Sequence, residues 1–282
     1  MAGDVSNDSD TFSIGGDLEV NRLGYGAMRV TGEGIIGPPD DEEHARRVLR
    51  HARDLGVDFI DTADSYGPGV SERLLREALA PYDDVVVATK AGLVRNTDTE
   101  WLPHGHPEYI HNQALVCRDR LGVDTIDLFQ FHRPDPEVPF EDSVHAFAEL
   151  KDEGLVRHVG LSNVSVEQLE TAREVVDIAT VQNRYNVGYR ESEDVLAACE
   201  EHGIGFIPWY PIGAGDLDET VERVAERRDA TPYQVALAWL LEHSPVTLPI
   251  PGTASIEHLE ENVAASSLEL TDEDVAELDA VA

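Results

Sequence analysis

Short apolar runs and longer amphipathic stretches alternate along this chain about eight times, and that rhythm constrains the fold more than any other feature. The apolar runs fall at 24–28, 59–61, 85–89, 126–131, 156–160, 180–182, 205–208 and 247–250. Between them the spacing predicts helices over 40–55, 71–79, 107–121, 140–153, 165–176, 192–202, 218–228 and 231–243, with two more at 256–264 and 271–281. Strands separated by helices pair in parallel and are covered by those helices. Eight such units in 282 residues predict an α/β fold of the (β/α)8 TIM-barrel type. Ahead of them, 11–14 and 20–23 flank Gly15-Gly16-Asp17, a hairpin signal, and this N-terminal β-hairpin is expected to close the barrel bottom. Residues 1–10 read as a disordered acidic tail. No proline-rich linker divides 11–282, which is read as a single domain.

Charge excludes several partners. There are 56 Asp and Glu against 21 Lys and Arg, a net charge of −35. Binding to a phosphate backbone or an anionic membrane surface needs clustered cations, so neither partner is expected. Only two of the cations are lysines, Lys90 and Lys151. Acid excess with scarce lysine resembles the cytosolic proteins of extreme halophiles, where molar salt shrinks the screening length to ~3 Å and tempers self-repulsion. The N-terminal residues lack a basic start and an apolar stretch, and the longest apolar run, 235–241, is far shorter than the ~20 residues that span a bilayer. The expectation is a cytoplasmic protein without a membrane segment. A monomer is expected, although no motif fixes the oligomeric state.

Some motifs are imitations. Gly32, Gly34 and Gly37 spell a dinucleotide-binding fingerprint, but its third glycine should lie inside a helix, and here Pro38-Pro39 follow it. The stretch reads as a flexible loop. His104, His106, His111 and Glu108 cluster in sequence without a defined common face, and Cys117 and Cys199 are isolated, so no metal site or disulfide is expected.

In a barrel of this kind chemistry sits where strands end. Asp61, Lys90 and His132 each close an apolar run, and Tyr66 follows Asp61 by five residues. Each has a plain structural explanation alone. Together they suggest a proton-donating tyrosine whose pKa near 10 an adjacent ammonium lowers, with the aspartate keeping that lysine charged.

The wording around these residues resembles the aldo-keto reductase superfamily: Phe59-Ile-Asp61-Thr-Ala-Asp-Ser-Tyr66-Gly, Val87-Ala-Thr-Lys90, Phe129-Gln-Phe-His132, Gly160-Leu-Ser162-Asn163, Val181-Gln182-Asn183 and Pro251-Gly252-Thr253 with Glu261-Asn262. More narrowly, Val20-Asn-Arg-Leu-Gly-Tyr-Gly-Ala-Met, Gly37-Pro-Pro and Trp101-Leu-Pro103 resemble a microbial branch that includes pyridoxal reductases (pyridoxine 4-dehydrogenases). The resemblance implies NAD(P)H-dependent reduction of an aldehyde or ketone to an alcohol by direct hydride transfer, without a metal. Tyr66 would be the general acid, Lys90 held by Asp61 would tune it, and His132 would orient the carbonyl. Ser162, Asn163 and Gln182 would bind the carboxamide, Trp209 would stack on the nicotinamide, and Pro211, Ile212 and Gly213 would follow the pyrophosphate. Gly26, Met28, Gly252, Thr253, Ser255 and His258 would complete the cofactor site, with Glu261 and Asn262 at the adenine. Tyr25, Arg29, Trp101 and Arg133 are expected to line the substrate pocket. Relatives hold the 2′-phosphate of NADP with Lys or Arg after the last strand, whereas no Lys or Arg follows Arg228 here. NADP(H) is the expected cofactor, with NAD(H) open. The alternatives are an NAD-dependent alcohol or sugar dehydrogenase and a non-catalytic nucleotide-sensing barrel.

Overall fold

The computed structural model describes residues 11–213 and 217–281; the expected acidic tail lies outside the described residues. The strands are β1 (Thr11–Ile14), β2 (Leu18–Asn21), β3 (Tyr25–Gly26), β4 (Phe59–Asp61), β5 (Val86–Ala91), β6 (Leu93–Arg95), β7 (Trp101–Pro103), β8 (Ile126–Phe131), β9 (Val156–Ser162), β10 (Ile178–Gln182) and β11 (Gly205–Phe206). The helices are α1 (Glu42–Asp54), α2 (Val70–Leu79), α3 (Pro107–Leu121), α4 (Phe140–Asp152), α5 (Val166–Arg173), α6 (Glu193–His202), α7 (Glu219–Arg228), α8 (Pro232–His243), α9 (Ile256–Ala264) and α10 (Asp272–Asp279).

Every expected helix forms, for reasons local to its sequence. In α1 the buried residues are Ala45, Val48, Leu49 and Ala52, a stripe at helical spacing. Reciprocal side-chain caps start α5 (Ser165 with Gln168), α8 (Thr231 with Gln234) and α10 (Thr271 with Asp274), satisfying backbone N–H groups that have no partner inside the helix. From Val235 to Leu240, α8 is buried on all sides, consistent with its uninterrupted apolar run.

Seven strands form one all-parallel sheet in the order β3-β4-β5-β8-β9-β10-β11. This helix-covered parallel sheet fits an α/β barrel. The register pairs Gly26 with Asp61, Lys90 with Gln130 and Gln182 with Ser162, which brings polar side chains to the carboxyl ends of adjacent strands.

The expectation of eight regular strands needs correction. Residues 247–250 form no strand of their own. A single bridge joins Phe206 to Thr247, Leu248 N donates to Phe206 O at 2.7 Å, and on the other side Gly24 N and Gly26 N donate to Pro249 O (3.0 Å) and Pro251 O (3.3 Å). Prolines at 249 and 251 lack the N–H groups a ladder needs, so the pairing there runs one way. The N-terminal hairpin also departs from its expected place in the barrel. β1 and β2 pair antiparallel, Thr11 opposite Asn21, as a separate two-stranded sheet. Ile14, Leu18 and Val20 pack in one cluster with Phe59, Leu128, Ile207 and Leu248.

The sequence reading missed a second hairpin, β6 with β7, pairing Leu93 with Pro103. Its strands are three residues each, too short for alternation to register. The 32–37 stretch is a loop, but a held one: Gly32 N donates to Gly37 O at 2.9 Å, and Arg95 donates to Ile35 O and Gly34 O, both at 3.0 Å.

Candidate active site

Lys90 is fully buried at the end of β5. Its ammonium donates to Asp61 Oδ1 at 2.5 Å and to Thr62 O at 2.8 Å. The other oxygen of Asp61 accepts from Gln130 Nε2 and from Gln182 Nε2, each at 2.9 Å. A buried carboxylate is thus fully bonded, and its charge offsets the desolvation of the lysine. Lys90 Nζ lies 5.2 Å from the centre of the Tyr66 ring. His132 and Trp101 stand edge-on to that ring, at centroid distances of 5.9 and 6.2 Å. The four residues expected at strand ends therefore meet at one point.

Tyr66 is set by the turn after β4. Tyr66 N donates to Ala63 O at 3.2 Å, and Gly67 takes a left-handed φ of 81° where a Cβ would lie 2.5 Å from that of Val70. Asp64, in the same turn, is 3% exposed, accepts from the Tyr109 hydroxyl at 2.8 Å, and leaves Oδ1 without a partner among the described residues.

Electrostatics at the site differ from the sequence expectation in one respect. The Lys90 ammonium does pull the Tyr66 pKa down, but burial raises it more, and the net shift is upward. The phenol is therefore protonated at neutral pH. Burial lowers Lys90, yet the Asp61 charge and Tyr66 raise it further, so it stays an ammonium. Burial, then the positive charges of Lys90 and Arg133, hold His132 well below the usual imidazole range, so its ring is neutral. Burial, with the nearby Glu72 charge, pushes Asp64 up to about 7.

Tyr66 and His132 face a cavity of about 460 Å³, a size that suits small-molecule sites. Of the expected residues, Asp61, Tyr66 and His132 line it, as do Gly26, Met28, Ser162, Asn163, Gln182, Trp209, Pro211, Ile212, Gly213 and Gly252, and, from the expected substrate pocket, Arg29, Trp101 and Arg133. Trp209 is fixed through Nε1, which donates to Asn163 Oδ1 at 3.1 Å. At the floor the backbones of Gly26 and Gly252 touch: a Cβ on Gly26 would lie 2.8 Å from Ile250 O, and one on Gly252 2.7 Å from Gly26 O.

Tyr25 is a correction. It is 1% exposed, and its hydroxyl donates to Thr253 O, so it braces the loop behind the cavity instead of lining it. Lys90 is likewise beneath the cavity wall. Thr253, Ser255, His258, Glu261 and Asn262 are not among the lining residues; they gather at the start of α9 and along it. There Thr253 Oγ1 accepts from Ser255 N (3.0 Å) and Ser255 Oγ from His258 N (3.3 Å), leaving both hydroxyl protons free to donate. Glu261 O accepts from Gln234 Nε2 at 3.1 Å.

The sequence reading missed Ile35, Leu93, Tyr210, Ile250 and Pro251 in the lining, and Gln130 as a partner of Asp61. A signal for Gln130 existed: on a strand, residues two apart share a face, and His132 lies two beyond it. Among the described residues no group of His, Cys, Asp or Glu is placed to hold a metal ion.

A helix-covered parallel sheet with Asp, Tyr, Lys and His gathered at the carboxyl ends of its strands defines a class of oxidoreductase. Residues 22–282 match the model of the aldo/keto reductase family, and the chain belongs to that family. It is 49% identical over 267 residues to an uncharacterized oxidoreductase of Schizosaccharomyces pombe, covering 94% of this chain and 87% of that protein. It is 43% identical over 282 residues to pyridoxine 4-dehydrogenase of Escherichia coli, covering 97% and 98% respectively. A solved aldo/keto reductase from Klebsiella pneumoniae, in complex with NADP and acetate, is 28% identical with a TM-score of 0.82, covering 96% of this chain and 95% of that one.

Proposed function

We propose that the chain is an NADP(H)-dependent reductase that converts an aldehyde or ketone to an alcohol, with Tyr66 as general acid. The observation that carries this reading is Tyr66 at the cavity wall beside the buried Lys90–Asp61 pair. The residues present fit a nicotinamide dinucleotide: the Gly26–Gly252 contact leaves a bare backbone cradle, and Trp209 and the Ser162, Asn163 and Gln182 side chains border the same space. When bound, the nicotinamide supplies a hydride to the carbonyl carbon.

The protein's part is protonic and electrostatic. Tyr66 gives its proton to the oxygen as negative charge develops there, and Lys90 stabilises the phenolate left behind. Asp61, fixed by Gln130 and Gln182, keeps Lys90 charged. Neutral His132 has a ring N–H to orient the carbonyl oxygen and adds no positive charge to compete with that of Lys90. Ser162, Asn163 and Gln182 would hold the carboxamide, Trp209 would stack on the ring, and Gly26, Met28, Pro211, Ile212, Gly213 and Gly252 would follow the cofactor toward Thr253, Ser255, His258, Glu261 and Asn262.

A small polar aldehyde is the substrate class, and the likeness to pyridoxine 4-dehydrogenase makes pyridoxal a member to test. The absence of Lys and Arg beyond Arg228 favours a second reading, use of NAD(H). On the same view the described chain is one catalytic domain, a (β/α)8 barrel closed by residues 246–251. Bonds from both sheet edges to 246–251 support closure. The acid excess fits a cytoplasm rich in salt.

The test is loss of NADPH and NADH absorbance with pyridoxal, sugars and a panel of aldehydes in high KCl. Turnover with NADPH is expected for at least one carbonyl. Cofactor binding without turnover of any of them would overturn the reading in favour of a nucleotide sensor.

A further inference from the structure

Charge is unevenly distributed around the cavity. With 56 carboxylates against 21 Lys and Arg, an arginine has more than two acids to pair with, and most are tied down. Arg46 bridges Glu42, Glu43 and Glu77, and Arg227 and Arg228 close on Asp274. Arg133 is different. It follows His132 at the end of β8, lines the cavity, and has no hydrogen-bond or ion-pair partner among the described residues. Arg29 is unpartnered in the same sense, but it lies on the other side, its Cγ beside Gly252. The single carboxylate in the described lining, Asp61, is committed to Lys90, Gln130 and Gln182. A molecule that repels anions over its surface thus presents positive charge where its reactive groups meet. Arg133 is itself solvent-exposed, so water screens its charge over distance and it acts most strongly on an anion that touches the guanidinium.

We propose that Arg133 determines substrate specificity, selecting carbonyl compounds that carry a carboxylate or phosphate, with the carbonyl set against Tyr66 and His132 and the anion on the guanidinium. This rests on the reductase reading and narrows its substrate class. Arg29 lies beside the Gly26–Gly252 cradle and on the same reading would meet the other source of anionic charge, a phosphate of the cofactor.

The experiment compares kcat/KM for 4-carboxybenzaldehyde with that for its uncharged methyl ester at saturating NADPH. Wild type, Arg133→Ala, Arg133→Lys and Arg29→Ala are each measured. The ratio of the two values is read, because a general loss of activity cancels from it. Wild type should favour the carboxylate by about tenfold or more, the scale of one charge-assisted hydrogen bond. Arg133→Ala should bring the ratio to one or below, Arg133→Lys should restore part of it, and the wild-type preference should shrink between ~0.1 and ~2 M KCl as screening tightens. Arg29→Ala should weaken NADPH binding and retain the ratio. A wild-type ratio at or below one, or a preference that survives Arg133→Ala, overturns the proposal. So does a preference lost in Arg29→Ala alone, which would assign the anion to the Gly252 side. Turnover of neutral carbonyls with no such preference would sink this proposal and leave the reductase reading standing; no turnover of any carbonyl sinks both.

Discussion

Tyr66 shows how one residue's chemistry depends on competing terms. Burial raises the phenol and Lys90 lowers it; burial wins, which leaves the proton in place at neutral pH. Tyr66→Phe should therefore cut kcat by at least the ~10²-fold typical of a lost general acid, with cofactor affinity near normal by fluorescence titration. A variant that kept most of its kcat would remove Tyr66 from the role. Asp64, two residues before it, gives a prediction about stability. Its folded pKa of about 7 lies above the ~3.9 of an unfolded aspartate. Between those values the folded state holds a proton that the unfolded chain has released, so this group's contribution falls as pH rises toward 7. Asp64→Asn removes the titration and retains an acceptor for Tyr109. Its melting temperature relative to wild type should be higher at pH 8 than at pH 5; an equal difference at both would show that Asp64 does not carry the burial penalty.

On the proposed reading, α9 and the loop before it would decide cofactor choice. Ser255 caps the helix, and Thr253 and Ser255 retain hydroxyl protons, so a 2′-phosphate there would meet neutral donors and the helix N-terminus. Charge-assisted, bidentate arginine bonds are roughly twice as strong as neutral ones. Discrimination between NADPH and NADH should accordingly be modest in wild type, and His258→Arg should tighten NADPH by about 1 kcal/mol or more at fixed salt. Paired dissociation constants measure it. Exclusion of NADH by several orders of magnitude in wild type would place the phosphate elsewhere. Strand β8 acts at the same scale. The two-residue spacing, carried one residue past its end, puts Gln130 and His132 on one face, so β8 and the residue that follows it both anchor Asp61 and bring an imidazole to Tyr66.

For the whole molecule, the net charge of −35 sets the response to salt. The screening length falls from ~10 Å at 0.1 M to ~3 Å at 1 M. Contact pairs such as Arg46–Glu77 at 2.7 Å and Arg157–Asp17 at 2.8 Å sit within either length, while repulsion among carboxylates spaced farther apart is removed. Exposed pairs contribute little individually, ~0–1 kcal/mol, so repulsion dominates the balance. The melting temperature should rise between ~0.1 and ~2 M KCl, salts whose screening lengths differ several-fold. A melting temperature that stayed flat across that range would remove the halophilic reading.

Periodicity was enough to locate, among the described residues, the ten α-helices and the seven strands of the parallel sheet within a few residues, because burial on one stripe or in a central sheet is written into local spacing. It also marked Asp61, Lys90 and His132, since a polar residue closing an apolar run is visible in one dimension. Three things were decided only by the assembled chain. Pro249 and Pro251 turned the expected last strand into a one-sided pairing, visible only once the neighbouring edges were in place. The direction of the Tyr66 shift required the depth of burial, which no spacing encodes. Tyr25 reads like a pocket aromatic in the sequence, yet its hydroxyl reaches Thr253 O across 228 residues of chain. Contacts of that separation follow from how the strands curl and stack, and a linear pattern records which residues are apolar or charged but not which distant backbone they will meet.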